Sequence, residues 1–562
     1  MEKVEMEKTE PAALDNVRDE VSDTPPSDTP KETPEIVYPS TWRQIVIVTG
    51  LLLGIFLAGL DISIISTAIP AITNEFNSLA DSGWYGSAFF LAYAAFQSLW
   101  GKAYKYFDMK FVFLAGMFVF EVGCLIGGVS PNSAALIVGR VVQGGGAAGI
   151  LLGCYSIANF VSPPDKVPLI VGMIGTIFSI ASVIGPVIGG VFTSDVTWRW
   201  CFYVNLPIGA VPVAFILLFF KTPAHAKIST KTPAKEIAIS FDPIGTVLFI
   251  GALISYILAT TWGGTERAWN SSTIIGLLVG WIVLTILFVV NEFWQGERAL
   301  VVFRLMKKRD MWVNCVYLFF LYGAYFSVVY NLPTYFQATA GLSPKDSGIR
   351  TIPIIGATSL FSFVASIAVG KYAKYTAFMI VGAAISAVSG GLIYTFDINT
   401  DLGKQIGYQI LLGLGIGLVI QIPPIVAGIV NNNADKAIGL GAVLVTQFYS
   451  ASLVISASSA ITNNLLLQKV PLYAPGTTSA EVLAIGPYDL ESHYTGDTLH
   501  GIRRAYVEGL RGAWALGIGL WGVAFFCAFL SKWPGHMIPA PEDTSSGAES
   551  EPEKGGVLPA AV

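Results

Sequence analysis

Residues 101–106 read Gly101-Lys102-Ala103-Tyr104-Lys105-Tyr106, and residues 370–375 read Gly370-Lys371-Tyr372-Ala373-Lys374-Tyr375. Both are GKxxKY, 269 positions apart. Six matching residues are weak evidence alone, because glycine and bases are expected at any short turn on the positive side of a membrane. Their place in the hydrophobic pattern adds the weight. One copy follows the second apolar run of the chain and the other follows the tenth, a register that requires six runs, two extra, then six more.

Composition supports that pattern. The chain has 562 residues, 53% hydrophobic and 13% charged, with a mean hydropathy of +0.62. Soluble proteins carry about 25% charge, so a water-soluble fold is excluded. The 58 glycines and 30 prolines follow no collagen period, and 34 Phe with 22 Tyr is too aromatic for disorder. At about 20 apolar residues per bilayer crossing, fourteen spans result: 44–68, 84–104, 111–129, 134–158, 168–192, 203–220, 243–262, 273–292, 312–337, 349–370, 377–396, 406–430, 438–466 and 513–531. The expected organisation is an all-α polytopic membrane protein. An N-terminal six-helix bundle spans 44–220, two extra helices with linkers 221–311, and a C-terminal bundle 312–531 with an external loop at 467–512.

The formal charge of −5 belongs to the ends. Residues 1–42 hold 11 acids against 4 bases and residues 536–562 hold 5 against 1, which leaves the body at +6. The segments 1–43 and 532–562 are expected to be disordered, cytoplasmic and acidic. No leader peptide is expected, because the first 43 residues lack an apolar core. With both termini inside, 23 Lys and Arg face the cytoplasm and nine face outward, four of them in the long loop, as basic loops prefer. A sequon at Asn270-Ser271-Ser272 falls outside, making Asn270 a glycosylation candidate. The five cysteines have no metal-like spacing and read as packing residues.

Gly185-Pro186-Val187-Ile188-Gly189-Gly190 lies in the fifth span, where proline removes a backbone hydrogen bond and the glycines allow close helix packing. This stretch resembles the antiporter motif of the major facilitator superfamily, which implies export. Leu57–Ile72 resembles the first-helix signature of the fourteen-span drug:proton antiporter branch, Leu136–Gly149 its fourth-helix motif, and Trp198–Gly209 the start of its sixth helix. With Leu332–Pro353 the resemblance runs from about 44 to 531. It implies two parallel halves and a midplane substrate site. One departure stands out. The family usually has Asp, then a second Gly, where this chain has Lys105 and Asp108. Gly101, Lys102, Lys105, Asp108 and Lys110 therefore read either as a substitute cytoplasmic latch or as a plain basic anchor.

Ionisable groups inside a membrane are costly and functional by default. Asp61, Glu121 and Arg140 are the deepest, all in the first half. They are the candidates for proton coupling, with a structural ion-pair network as the alternative. Substrate contacts suited to a flat, weakly charged molecule are Tyr85, Phe89, Gln97, Tyr155, Asn331, Gln421 and Gln447.

The expected activity is proton-coupled export of small hydrophobic organic compounds, drugs, toxins or secondary metabolites, by alternating access. The expected setting is the plasma membrane or the vacuolar one, and the expected form a monomer. Siderophore-iron import and transporter-like nutrient sensing are the alternatives; the antiporter-like fifth span argues against the first, the short C-terminal tail against the second. Catalysis, nucleic-acid binding, cofactors and metals have no support. His225, His493, His500 and His536 all fall in loops or tail, and no GxxxxGK loop is present to bind ATP.

Overall fold

The computed structural model describes residues 38–76, 82–223, 233–372 and 374–532. The expectations for most of the two acidic tails, and for His225 and His536, concern residues outside these. Backbone polar groups in lipid must pair within their own segment, which favours helices. Among the described residues regular structure is helical, apart from one isolated bridge between Gly263 and Arg267.

The fourteen apolar runs fall on helices, one of the runs being divided between two. These are α1 (Thr41–Ile64), α2 (Ser82–Tyr106), α3 (Met109–Gly128), α4 (Ser133–Val161), α5 (Val167–Asp195), α6 (Asn205–Phe219), α7 (Pro243–Trp262), α8 (Ser272–Gln295), α9 (Arg309–Ala340), α10 (Ile352–Tyr372), α11 (Tyr375–Tyr394), α12 (Leu402–Gly417), α13 (Lys436–Tyr473) and α14 (Gly496–Ala528). Among the described residues thirteen helical stretches are long and apolar enough to cross a membrane, with α6 extended to Trp200–Phe219 and α12 to Leu402–Val430 across short breaks; α2 is not among them. Its 25 residues include Tyr85, Gln97, Lys102 and Lys105, which protein contacts rather than lipid must accommodate. The run expected at 406–430 is interrupted. α12 ends at Gly417 and the helix resumes only at Ile422–Val430, because Pro423 and Pro424 supply no N–H to the preceding turn.

The two halves repeat one packing plan. In the first, α1 packs on α5 and α6, and α4 on α2 and α3; in the second, α9 packs on α13 and α14, and α12 on α10 and α11. The halves meet through α2 against α13 and α5 against α10. The two GKxxKY copies occupy matching places in this plan. A Cβ on Gly101 would lie 3.3 Å from the Ala437 carbonyl at the start of α13, and one on Gly370 would lie 3.3 Å from Pro168 at the start of α5. At each copy, therefore, glycine sits where one half meets the first turn of the other half's fifth helix.

α7 and α8 stand outside this plan. α7 packs on α8, α13 and α2, whereas only 6% of the most apolar stretch of α8 is buried. The Asp242 carboxylate anchors the pair. It caps α7 through Gly245 N at 2.9 Å and accepts from Asn291 Nδ2 at 2.9 and 3.0 Å. The external loop expected at 467–512 is largely helical: α13 continues to Tyr473 and α14 starts at Gly496. Between them, Val482 and Leu490 pack with Ile502 and Tyr506 in a small apolar cluster. Asn270 is exposed in the turn between α7 and α8.

Candidate functional site

Asp61 and Arg140 meet in the interior of the first half. α1 carries Asp61 and α4 carries Arg140, and these side chains are 0% and 1% exposed. Arg140 Nη1 donates to Asp61 Oδ2 at 2.5 Å. The other carboxylate oxygen accepts from Gln143 Nε2 at 2.9 Å and Asn205 Nδ2 at 3.3 Å. Arg140 also donates through Nε to the Tyr85 carbonyl at 2.9 Å and through Nη1 to Gln143 Oε1 at 2.9 Å, and it lies over the Phe89 ring at 4.6 Å. A buried charge pair persists only when such donors satisfy the remaining lone pairs. Gln143 helps for a simple reason: three residues from Arg140, it lies on the same helix face. Cys124, read from sequence as a packing residue, accepts from Gln143 Nε2 at 3.0 Å.

Glu121 on α3 is a near neighbour with a different environment. Both of its carboxyl oxygens are buried without a hydrogen-bond partner. A Cβ on Gly209 would come within 1.8 Å of its Oε1, so glycine on α6 makes the room it occupies.

A cavity of about 480 Å³ lies between the two halves, within the size range of drug-sized ligand sites. Its walls run from Tyr155, Gln421 and Gln447 to Thr67, Gln337 and Thr351, at helix ends remote from the GKxxKY segments. Tyr155 Oη donates to Gln421 Oε1 at 2.9 Å and so joins the halves across the floor. Of the seven substrate-contact candidates, Tyr155, Gln421 and Gln447 line this cavity; Tyr85, Phe89, Gln97 and Asn331 do not. The Tyr85 carbonyl and the Phe89 ring face Arg140 instead, while Asn331 donates to Ser327 O at 2.7 Å and Ser458 Oγ at 3.1 Å. Gln97 is fully buried, and neither end of its amide has a partner. The tyrosines and phenylalanines of α9, which supply much of the opposite wall, were not anticipated. Their spacing matches that of core aromatics, which hides them in a sequence.

The antiporter-like stretch forms the seam between α5 and α1. A Cβ on Gly185 would lie 2.9 Å from Ile64 N, and one on Gly189 2.2 Å from Ile64 O. A Cβ on Gly190 would meet none of the described residues within 4 Å, and Pro186 lines the cavity.

At the opposite end of the bundle the halves are in contact. Lys105 Nζ lies 3.9 Å from Asp435 Oδ1 across the α2–α13 junction, and Arg304 holds the same carboxylate at 2.9 and 3.0 Å. These bonds keep the Arg304 guanidinium pKa above its ordinary value, the one to Glu297 contributing most and the one to Asp435 next. The other bases of the segment bind elsewhere. Lys102 Nζ donates to the Ser240 carbonyl at 2.6 Å and to that of Arg298, tying α2 to the flanks of the extra helices. Asp108 caps α3 through Lys110 N at 2.9 Å and accepts from Thr222 Oγ1 at 2.6 Å, and Lys110 Nζ donates to Leu217 O at 2.6 Å. Within the segment, then, Lys105 pairs across the halves, while Lys110 bonds within the first and Asp108 reaches Thr222 just beyond it.

A family model described as Major Facilitator Superfamily matches residues 51–457. The chain belongs to the major facilitator superfamily. It is a multi-pass membrane transporter and not an enzyme. It is 42% identical over 501 residues to the MFS-type transporter thnB of Trichoderma harzianum, covering 89% of this chain and 85% of that one. It is 35% identical over 560 residues to the dehydrocurvularin exporter of Aspergillus terreus, covering 99% and 96%. The fold resembles the crystal structure of the human organic anion transporter MFSD10, with a TM-score of 0.57 at 13% identity over 86% of this chain and 99% of that one. For a major facilitator chain, the shared packing plan of the two halves and a cavity between them is the expected geometry.

Proposed function

We propose that this transporter is a proton-coupled exporter of small hydrophobic organic compounds. It works by alternating access through fourteen spans in a 6 + 2 + 6 order, with both termini cytoplasmic. The observation that carries the reading is the cavity: it lies between the halves, is mostly apolar, and reaches the end remote from the GKxxKY segments. The excess of bases at the GKxxKY end favours a cytoplasmic assignment there, which makes this conformation outward-facing. Relatives named as an exporter and a transporter of fungi support the direction of transport and a secondary metabolite as cargo.

Coupling is assigned to Asp61, Glu121 and Arg140. Asp61 has its charge balanced by Arg140 and two amides, whereas no donor compensates a charge on Glu121. Glu121 therefore gains most from taking up a proton in this conformation, and a proton passing to Asp61 would release Arg140 and loosen α1 from α4. α1 also walls the cavity, so that change reaches the substrate. With about 2.3 kcal/mol available per charge per 100 mV, one proton per cycle sustains a useful gradient.

The test is efflux from proteoliposomes under an imposed pH gradient, with a panel of hydrophobic fungal metabolites. Transport should follow the gradient and collapse with a protonophore. Gradient-independent movement would overturn proton coupling. Full activity in Asp61→Asn, Glu121→Gln and Arg140→Ala would overturn the assignment of residues. In cells, external labelling of Ala480→Cys checks the orientation, which protection of that site would overturn.

A further inference from the structure

The cavity that the exporter reading assigns to substrate is walled by uncharged side chains. Among the described residues its lining contains no Asp, Glu, Lys, Arg or His. The nearest functional charges, Asp61 and Arg140, are buried outside the lining and neutralise each other. A cation or an anion entering here would lose water without gaining a counter-charge. What the walls offer instead is ring surface. Phe90 and Phe178 come from the first half, and Tyr322, Tyr325, Phe326 and Tyr330 from α9. Aromatic faces of this kind stack on flat, uncharged molecules.

Two polar atoms on these walls are left without a hydrogen bond. Gln447 Oε1 on α13, whose amide lies beside the Tyr322 hydroxyl, and Ser362 Oγ on α10 are both buried and accept none. The neighbouring polar pair is spoken for, because Gln421 Oε1 already accepts from Tyr155. A buried acceptor without a donor is costly, and a ligand that brings the donor recovers the loss. The Gln447 carboxamide oxygen accepts, so the partner it lacks is a donor.

We propose that the cavity selects uncharged aromatic compounds that carry a hydroxyl group, the hydroxyl donating to Gln447 and the rings stacking among the aromatic walls. The selectivity rests on the exporter reading for its biological meaning, but its chemistry can be measured without transport. It separates this site from one that holds a cationic drug against a carboxylate in its wall.

The experiment uses the full-length protein in lipid nanodiscs at pH 6.5, with binding followed by titration calorimetry. The probes share one skeleton: 4′-hydroxyflavone, flavone, flavone-4′-carboxylate and 4′-trimethylammonioflavone. The hydroxyl compound should bind tightest, with flavone weaker by roughly fivefold and both charged probes weaker by at least about tenfold. Gln447→Leu should erase the preference for hydroxyflavone over flavone while leaving flavone binding in place. Gln447→Glu should raise affinity for the trimethylammonium probe by about tenfold, a gain that a misfolded variant cannot produce. Charged probes binding as tightly as hydroxyflavone, no binding by either neutral probe, or a hydroxyl preference that survives in Gln447→Leu would each overturn the proposal. A protein that shows the neutral preference yet moves no probe under a pH gradient supports the selectivity and refutes the exporter reading.

Discussion

Gly189 and Gly190 are adjacent in the antiporter-like stretch, and the structure separates them sharply. A methyl group on Gly189 would sit 2.2 Å from the Ile64 carbonyl and 2.7 Å from Thr67 Oγ1, while none of the described residues lies within 4 Å of one on Gly190. Ordinary contact begins near 3.4 Å, so Gly189→Ala must push α5 and α1 apart by about 1 Å, and close-packed interiors do not absorb such shifts freely. Overpacking of this kind costs about 1–3 kcal/mol. Both substitutions gain up to ~1 kcal/mol from the better helix propensity of alanine. That gain cancels when the two are compared, so the difference between them isolates the steric cost. Thermal challenge of each purified variant, paired with proteoliposome efflux, measures it. Gly190→Ala should match or exceed the parent in stability and match it in transport. Gly189→Ala should be less stable, and its transport should fall because Ser63 and Thr67, beside the clash, line the cavity. Equal behaviour of the two variants would refute the reasoning.

Four further outcomes are expected. Asp61→Asn leaves Arg140 buried without its counter-charge and should cost roughly 3–5 kcal/mol of stability; adding Arg140→Gln should restore much of that stability without restoring transport, and a thermal double-mutant cycle checks it. Lys105→Gln should raise the labelling rate of an Ala437→Cys reporter at the closed end by about fivefold, the effect of losing roughly 1 kcal/mol from a pair that Arg304 partly replaces; an unchanged rate would exclude Lys105 as a latch. The Glu75 carboxyl pKa is held below its ordinary value, first by the Trp198 indole N–H and then by Arg199. Its stabilisation is therefore present above the unfolded pKa near 4.5 and lost as the pH falls through the lower folded value. Because its side chain is 45% exposed, the effect stays under about 1 kcal/mol; melting curves of Glu75→Gln should differ from the parent at pH 7 and converge at the acid end. Finally, export of an uncharged probe against entering protons moves net positive charge inward, so efflux should quicken when a valinomycin–potassium clamp makes the vesicle interior, equivalent to the cytoplasm, more negative.

Apolar periodicity was enough to locate the thirteen helical stretches that are long and apolar enough to cross a membrane, because a segment in lipid has to satisfy its own backbone and be about 20 residues long. The same cost of buried charge made Asp61, Glu121 and Arg140 visible, since such residues are conspicuous against an apolar background. The repeat was legible because a close approach between halves favours glycine at both copies, where a Cβ would make a tight 3.3 Å contact. Other features depended on distance in space. Which base of GKxxKY reaches across the halves could not be read from spacing, because Asp435 lies 330 positions after Lys105. Nor could the division among the aromatic and amide candidates, since a residue on a helix shows its face only when the neighbouring helices are in place. Tyr85 and Phe89 face Arg140, and Tyr155 and Gln447 face the cavity, because packing rotates each helix to bury one side and leave another open.

The sequence by itself therefore determined the helical membrane class, the repeated halves and the charged trio, all of which follow from local solvation costs along the chain. Only the tertiary structure decided which end of the bundle is closed, that Asp61 is saturated by donors while the Glu121 carboxyl oxygens have none, and that the described residues lining the central cavity carry no charge. Those properties arise where residues far apart in sequence share one low-dielectric space, and each depends on what the others contribute there.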